Sequence, residues 1–209
     1  MMYLSKMELN PRSRRVRAEI AHPYQMHRTV MAAFPDFKPG ERDRVLFRVD
    51  TNPRSQQINL LVQSEGTPDF ASLTNGSDYC VSEPLWKEFK PVLHVGQQRY
   101  FRLRANPTVK SSGKLLGLLK EEQQQDWLSR KAGLGGFRVD SLSVTSEGMR
   151  KDTKRVQDTS IEMSFLSVLF EGVLEVLEPD RFLETMSSGV GRGKGIGFGL
   201  LSIAPFKGE

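Results

Sequence analysis

Moving a proton near neutral pH calls for a side chain that titrates there, and histidine is the ordinary choice. The chain contains three: His22, His27 and His94. His22 precedes Pro23, which biases its backbone toward an extended conformation. His94 lies in Pro-Val-Leu-His-Val-Gly, a setting that suits packing. His27 stands in "PYQMHRTVMAAFP". If that stretch is helical, Tyr24 and His27, three residues apart, share a face. An imidazole with a reference pKa of ~6.5 gives or takes a proton, and a phenol near ~10 is better placed as a hydrogen-bond donor. Arg28 lies further round the helix; a histidine and a tyrosine near arginines suit proton transfer next to a phosphate, where a cation offsets developing charge. The same Tyr-x-x-His pair also fits the edge of a helix interface, where both residues often do no more than pack.

Other chemistries find less support. There is no His-x-x-His or His-Glu-x-x-His spacing and no tight carboxylate cluster, so neither a metal nor any other cofactor is expected. No Gly-x-Ser-x-Gly elbow presents a serine nucleophile. The single cysteine, Cys80, forms no internal disulfide and suits a reducing compartment. The stretch "GVGRGKGIGFG" has glycine at every second position from Gly189 to Gly199. It lacks the Gly-x-x-x-x-Gly-Lys-Ser/Thr order of a nucleotide loop and any Gly-x-Gly-x-x-Gly. What it offers is close backbone approach and exposed N–H groups, with Arg192 and Lys194 as cations for phosphate.

The elements that must hold these residues follow from hydrophobic periodicity. "MYLSKMEL" alternates and predicts a strand. Pro23 and Pro35 bracket a short helix whose buried stripe is Met26, Val30, Ala33 and Phe34. "RVLFRVDT" and "INLLVQSEG" form a hairpin, "PDFASLTNG" a short helical turn, and "PLWKEFKPVLHVG" an edge segment or linker. "QQRYFRLRANP" is a strand with Phe101 and Leu103 on one face and Arg102 and Arg104 on the other. A polar loop then leads to a helix anchored by Leu119, Trp127 and Leu128. "FRVDSLSVTSE" is a strand, "GMRKDTKRVQD" a charged loop, and "IEMSFLSVLFEGVLEVL" a strand, favoured over a helix by Gly172 and its β-branched residues. "EPDRFLETMSSG" is a helix, and the glycine stretch turns into the final strand, "FGLLSIAP". Each half reads strand, helix, two strands, helix, strand. The expected fold is α+β, two tandem ferredoxin-like (βαββαβ, RRM-like) domains at about 1–92 and 97–209.

The net charge of +5 favours a polyanionic partner. Basic residues gather at Arg12, Arg14 and Arg15, at Arg102 and Arg104, and at Arg150, Lys151, Lys154 and Arg155. Together with Gly189, Gly191, Arg192, Gly193, Lys194 and Gly195, these are the candidate RNA-binding residues. The aromatic pattern of a typical RNA-recognition motif is absent, so hairpin shape and phosphates are the expected features read, rather than stacked bases. No apolar run is long enough to span a bilayer, and the N-terminus lacks the uninterrupted apolar core of a secretory signal. A cytoplasmic location without membrane contact is expected.

Six stretches, "MYLSKMEL", "PYQMHRTVMAAFP", "YFRLRANP", "WLSRK", "LFEGVLEV" and "GVGRGKGIGFGLLSIAP", occur in an order that resembles the CRISPR-associated endoribonucleases of the CasE type, across residues 2–205. The resemblance implies processing of precursor CRISPR RNA beside a repeat stem-loop. It implies metal-independent attack by the nucleotide's own 2′-hydroxyl, retention of the processed crRNA, and partnership with the other subunits of the type I-E Cascade complex. It places the family's catalytic histidine on His27 and its tyrosine on Tyr24. Arg28 and Lys194 are the candidates for charge stabilisation. A non-catalytic scaffold that holds an RNA hairpin is the alternative.

Overall fold

A computed structural model describes residues 1–35, 45–156 and 159–206, without the side chains of 154–159. The chain forms an α+β protein of two compact units. The first comprises Met1–Lys90, Asp152–Glu162 and Gly195–Gly197; the second comprises Pro91–Lys151, Met163–Lys194 and Phe198–Glu209.

In the first unit the strands are β1 (Tyr3–Leu9), β2 (Leu46–Thr51), β3 (Ile58–Ser64) and β4 (Leu85–Glu88). They form one sheet in the order β2-β3-β1-β4, with every adjacent pair antiparallel. The alternation of β1 decides its faces: Ser5, Met7 and Leu9 are buried and Lys6 is exposed. Helices α1 (Arg14–Ala21) and α2 (Pro23–Met31) follow β1, and the short α3 (Ala71–Thr74) follows β3. The expected stripe is buried throughout, though α2 ends before its last two members: Met26 and Val30 on the helix, and Ala33 and Phe34 just past it, join Met7, Leu9, Phe47, Leu60, Val62 and Tyr79 in one apolar core. Burying a side chain of this size contributes ~1.5–3 kcal/mol.

In the second unit β5 (Gln98–Ala105), β8 (Phe137–Val156), β9 (Thr159–Val176) and β10 (Leu201–Pro205) form a sheet in the order β10-β5-β9-β8. Between β5 and β8 come a small hairpin, β6 (Thr108–Ser111) and β7 (Lys114–Gly117), and then α4 (Glu121–Leu134). Helix α5 (Pro179–Ser188) connects β9 to the glycine stretch. The register puts Gly172 opposite Phe101. A Cβ on Gly172 would stand 1.9 Å from the Ser141 carbonyl oxygen, so glycine is required where the neighbouring backbone approaches.

The basic run around Arg14 and Arg15, for which no element was expected, begins a helix, because Ser13 caps it by accepting a hydrogen bond from the Val16 amide. Three sequence expectations need correcting. The polar loop before α4 contains the β6–β7 hairpin, whose turn residues Ser112 and Gly113 have φ of 48° and 79°. Leu119 is 70% exposed and anchors nothing, while Trp127 and Leu128 are buried. Residues 148–156 continue β8 as strand rather than looping out.

The glycine stretch holds no regular strand. Gly189, Gly191, Gly193, Gly197 and Gly199 have φ of 73°, 82°, 83°, 88° and 87°, and Lys194–Ile196 form one 3-10 turn. Five of the six alternate glycines, all but Gly195, thus hold left-handed backbone, which L side chains rarely adopt. Within the second unit a Cβ on Gly191 would also meet the Trp127 ring at 2.9 Å.

Candidate active site

Helix α2 carries the two residues singled out for chemistry. Pro23 occupies its first turn, where a missing N–H costs nothing. Tyr24 and His27 are half-buried, with ring centroids 6.3 Å apart at an interplanar angle of 33°. Phe47, on β2, stacks against the imidazole with centroids 6.3 Å apart at 20°. Gly195 lies on the same ring: a Cβ there would sit 3.6 Å from Cε1 and 3.7 Å from both ring nitrogens. The next glycine but one, Gly197, packs against Phe47, which a Cβ would approach to 3.3 Å. Phe47 and Gly195 thus limit the positions open to the imidazole, and its Nδ1 is shielded from solvent.

The N-terminus of α2 is completed from a distant part of the chain. The Gln25 amide donates to the His22 carbonyl at 2.8 Å and the Met26 amide to the same oxygen at 3.4 Å. The Tyr24 amide donates to Asp152 Oδ2 at 2.6 Å, across 128 residues of sequence. Asp152 is buried, its other oxygen accepting from the Thr153 amide at 2.7 Å and lying 3.5 Å from His22 Nδ1.

On its inner side α2 is tied to α1 by a polar cluster. Glu19 is 6% exposed. Its Oε1 accepts from Arg15 Nε at 2.9 Å and from the Thr29 hydroxyl at 2.7 Å, and its Oε2 from the Tyr79 hydroxyl at 2.6 Å. Arg15 also donates to Thr29 Oγ1 at 2.8 Å, and its guanidinium lies 5.0 Å from the centre of the Tyr79 ring. Burial, followed by the hydrogen bond and charge of Glu19, pushes the Tyr79 phenol far above its ordinary value.

The other candidates fall in different surroundings. Arg28 is exposed, its Nη1 donating to Gln25 Oε1 at 3.4 Å. Arg12 and Arg14 are exposed at the start of α1, whereas Arg15 is engaged in the Glu19 cluster. In the second unit Arg102 pairs with Glu171 at 2.6 Å. Arg104 grips Glu147 through Nε at 2.8 Å and Nη2 at 2.9 Å. Burial opposes the charge of Glu147, but hydrogen bonds from Arg104 and Ser167 and the charges of Arg104 and Arg150 hold its carboxyl below the ordinary range. Arg150 and Lys151 are exposed on β8. The side chains of Lys154 and Arg155 lie outside the described residues. Arg192 is exposed and bridges Asn106 backbone to backbone. Lys194 donates through Nζ to the Ser188 carbonyl, across the turn built from Gly189, Gly191 and Gly193. Among the described residues, no group of three or more His, Cys, Asp and Glu is arranged to hold a metal ion.

Local spacing exposed Tyr24 and His27. It did not expose Asp152, Phe47 or the Glu19–Tyr79 pair, which are far from α2 in sequence or silent about function. The one available signal for Asp152 was an acid inside the basic run 150–155.

Three comparisons bear on this arrangement. Residues 2–205 match a family model described as CRISPR associated protein. The chain is 38% identical over 220 residues to the CRISPR-associated endoribonuclease Cse3 of Thermus thermophilus, covering 98% of this chain and 100% of that one. It is 31% identical over 217 residues to the CRISPR system Cascade subunit CasE of Escherichia coli K12, again covering 98% and 100%. A solved structure of CRISPR endoribonuclease Cse3 bound to a 19-nucleotide RNA superposes with a TM-score of 0.86 at 36% identity, covering 97% of this chain and all of the other.

Proposed function

Because the chain belongs to the Cse3 and CasE family of CRISPR-associated endoribonucleases, we infer that it cleaves CRISPR repeat RNA next to a stem-loop, with Tyr24 and His27 as the reacting pair. The observation that carries the reading is the pair itself. A tyrosine and a histidine stand on one helical face, and Phe47 and Gly195 both lie against the imidazole.

The reaction this geometry suits needs no cofactor. The 2′-hydroxyl of the nucleotide before the cut loses its proton and attacks the adjacent phosphorus. The bond to the 5′-oxygen breaks, and that oxygen takes up a proton. The products are a 2′,3′-cyclic phosphate, or the 3′-phosphate derived from it, and a free 5′-hydroxyl. His27 transfers protons and Tyr24 orients the reacting groups. Arg28 and Lys194 are the cations assigned to the developing phosphorane charge.

RNA is held by the basic residues of α1, β5 and β8 and by the glycine stretch from Gly189 to Gly195, through phosphates rather than stacked bases. The product crRNA stays bound, and the partners are the other subunits of Cascade, as the likeness to CasE supports. No helix among the described residues is long and apolar enough to cross a membrane.

The two units are read as ferredoxin-like domains. Numbering the strands of each sheet in chain order gives 4-1-3-2 in both, and a helix follows the first and third strand in each.

Cognate repeat RNA incubated with the protein and excess EDTA tests the reading. One cut with a 2′,3′-cyclic phosphate or 3′-phosphate end is expected, and a 2′-deoxy nucleotide before the cut should abolish cleavage while sparing binding. Loss of cutting on chelation would remove the metal-independent mechanism. Binding with no cutting under any condition would favour a non-catalytic hairpin-binding scaffold.

A further inference from the structure

We propose that Asp152 is a positioning residue for the cleavage site: its carboxylate caps the helix that presents Tyr24 and His27, and so sets where both side chains stand. The proposal rests on the cleavage reading above but reaches a residue to which that reading assigns no part.

The argument is one of hydrogen-bond accounting. A helix leaves its first N–H groups without partners inside the helix. In α2, Pro23 has no N–H, and the Gln25 and Met26 amides return to the His22 carbonyl. The Tyr24 amide is the group that needs an acceptor from elsewhere. The helix supplies none: His22 at the N-cap makes no side-chain capping bond, and no acid lies in the first turn. Asp152 Oδ2 meets the Tyr24 amide at 2.6 Å. The contact falls on the backbone of one reacting residue, one turn before the other. A carboxylate there is also favoured by the helix dipole.

Burial says the contact is not incidental. The Asp152 side chain is 2% exposed. A carboxylate so enclosed is costly unless its oxygens find donors. Both do: Oδ2 through the Tyr24 amide, and Oδ1 through the Thr153 amide with His22 Nδ1 nearby. The sequence around it is the second reason. Arg150, Lys151, Lys154 and Arg155 surround this single acid. In a segment that binds phosphate an acid weakens affinity. A capping role accounts for an acid in that place; RNA binding alone does not. The residue that follows the exposed Arg150 and Lys151 in sequence therefore grips the helix of the reacting pair.

Asp152→Ala removes both charge and acceptor, whereas Asp152→Asn keeps an acceptor oxygen for the Tyr24 amide. Two readouts separate this role from the cleavage reading. The first is hydrogen exchange of the amides of residues 24–27, which needs no RNA. Asp152→Ala is expected to speed their exchange by about tenfold or more, and Asp152→Asn to stay within about threefold of the parent protein. The second is single-turnover cleavage at saturating protein. Asp152→Ala is expected to cut at least about tenfold more slowly, because small misplacements of reacting groups are expensive. Its affinity for the repeat hairpin should be equal or tighter, and Asp152→Asn should restore most of the rate.

Exchange and cleavage within threefold of the parent protein in Asp152→Ala would overturn the role. So would a loss of RNA affinity that accounts for the whole rate change. Failure of Asp152→Ala to fold, read by circular dichroism, would also overturn it, since a positioning carboxylate is not needed for the fold. If the parent protein cuts no RNA while exchange changes as expected, the cleavage reading fails and the positioning role stands.

Discussion

Removing a single oxygen, in Tyr79→Phe, probes the brace behind α2. The Tyr79 hydroxyl donates to Glu19 Oε2 at 2.6 Å and lies 3.1 Å from Met26 Sδ. In the variant Glu19 keeps Arg15 and Thr29 on Oε1, but Oε2 loses this donor at a site where the residue is only 6% exposed. A hydrogen bond to a charged acceptor contributes about 1.5–3 kcal/mol, and an acceptor left buried without one incurs its full desolvation cost. A loss of about 2 kcal/mol is expected, and for a chain of this length that is a fall of roughly 4–8 °C in melting temperature. Urea titration followed by circular dichroism measures the first quantity and a thermal scan the second. The pH dependence supplies an internal check. The folded phenol has its pKa raised, so its contribution is complete below the unfolded value of ~10 and is lost as pH rises beyond it. The gap between the parent protein and Tyr79→Phe should therefore hold steady from pH 7 to 9 and narrow above ~10. A loss below about 0.5 kcal/mol at pH 7, or a gap that does not change above pH 10, would refute the reasoning.

Three further outcomes follow from the same geometry. His27→Ala should bind the repeat hairpin within about threefold of the parent protein and cleave it ~10²- to 10⁴-fold more slowly in a single-turnover gel assay. Gly172→Ala, whose Cβ would stand 1.9 Å from the Ser141 carbonyl oxygen, should cost more than about 3 kcal/mol in denaturant titration or prevent folding, whereas Gly148→Ala, in open space at φ 85°, should cost only about 1–2 kcal/mol. Arg104→Gln should destabilise the protein most near pH 7 and progressively less below about pH 4, measured by urea midpoints across pH. The reason is that the Glu147 carboxyl, held below its ordinary range, contributes fully above ~4.3 and loses that contribution as it protonates.

The parts of this fold that were legible in the sequence are those set by neighbours along the chain. Met26, Val30, Ala33 and Phe34 announce α2 by spacing alone, and the same spacing puts Tyr24 and His27 on one face. Phe101 and Leu103 do the same for β5. Helix α1 stayed hidden because half of its residues are charged and only Val16 and Glu19 are buried. A buried glutamate does not register in an apolar periodicity, so the Glu19 cluster was invisible for the same reason. In the glycine stretch the alternation was visible but not its cause: all of the alternate glycines but Gly195 hold left-handed backbone. At the site, the contacts that shape the imidazole come from β2 and from Gly195, and the cap of α2 from Asp152. Such pairings are created by tertiary folding, and the local mark they leave is slight: a lone acid in a basic run for Asp152.

The first unit is not a continuous length of chain: it is made of Met1–Lys90, Asp152–Glu162 and Gly195–Gly197. A fragment ending at Lys90 would carry Tyr24 and His27 but neither the carboxylate on the Tyr24 amide nor the glycine against the imidazole. Chains emerge from the ribosome N-terminus first, and domains ordinarily fold as they appear. Here the sheet and helices of the first unit come from its first continuous piece, while its last three residues, Gly195–Gly197, follow about a hundred residues later. A nascent chain therefore carries Tyr24 and His27 well before the carboxylate and the glycine that lie against them, so the surroundings of the two rings are finished long after the sheet beneath them has been made.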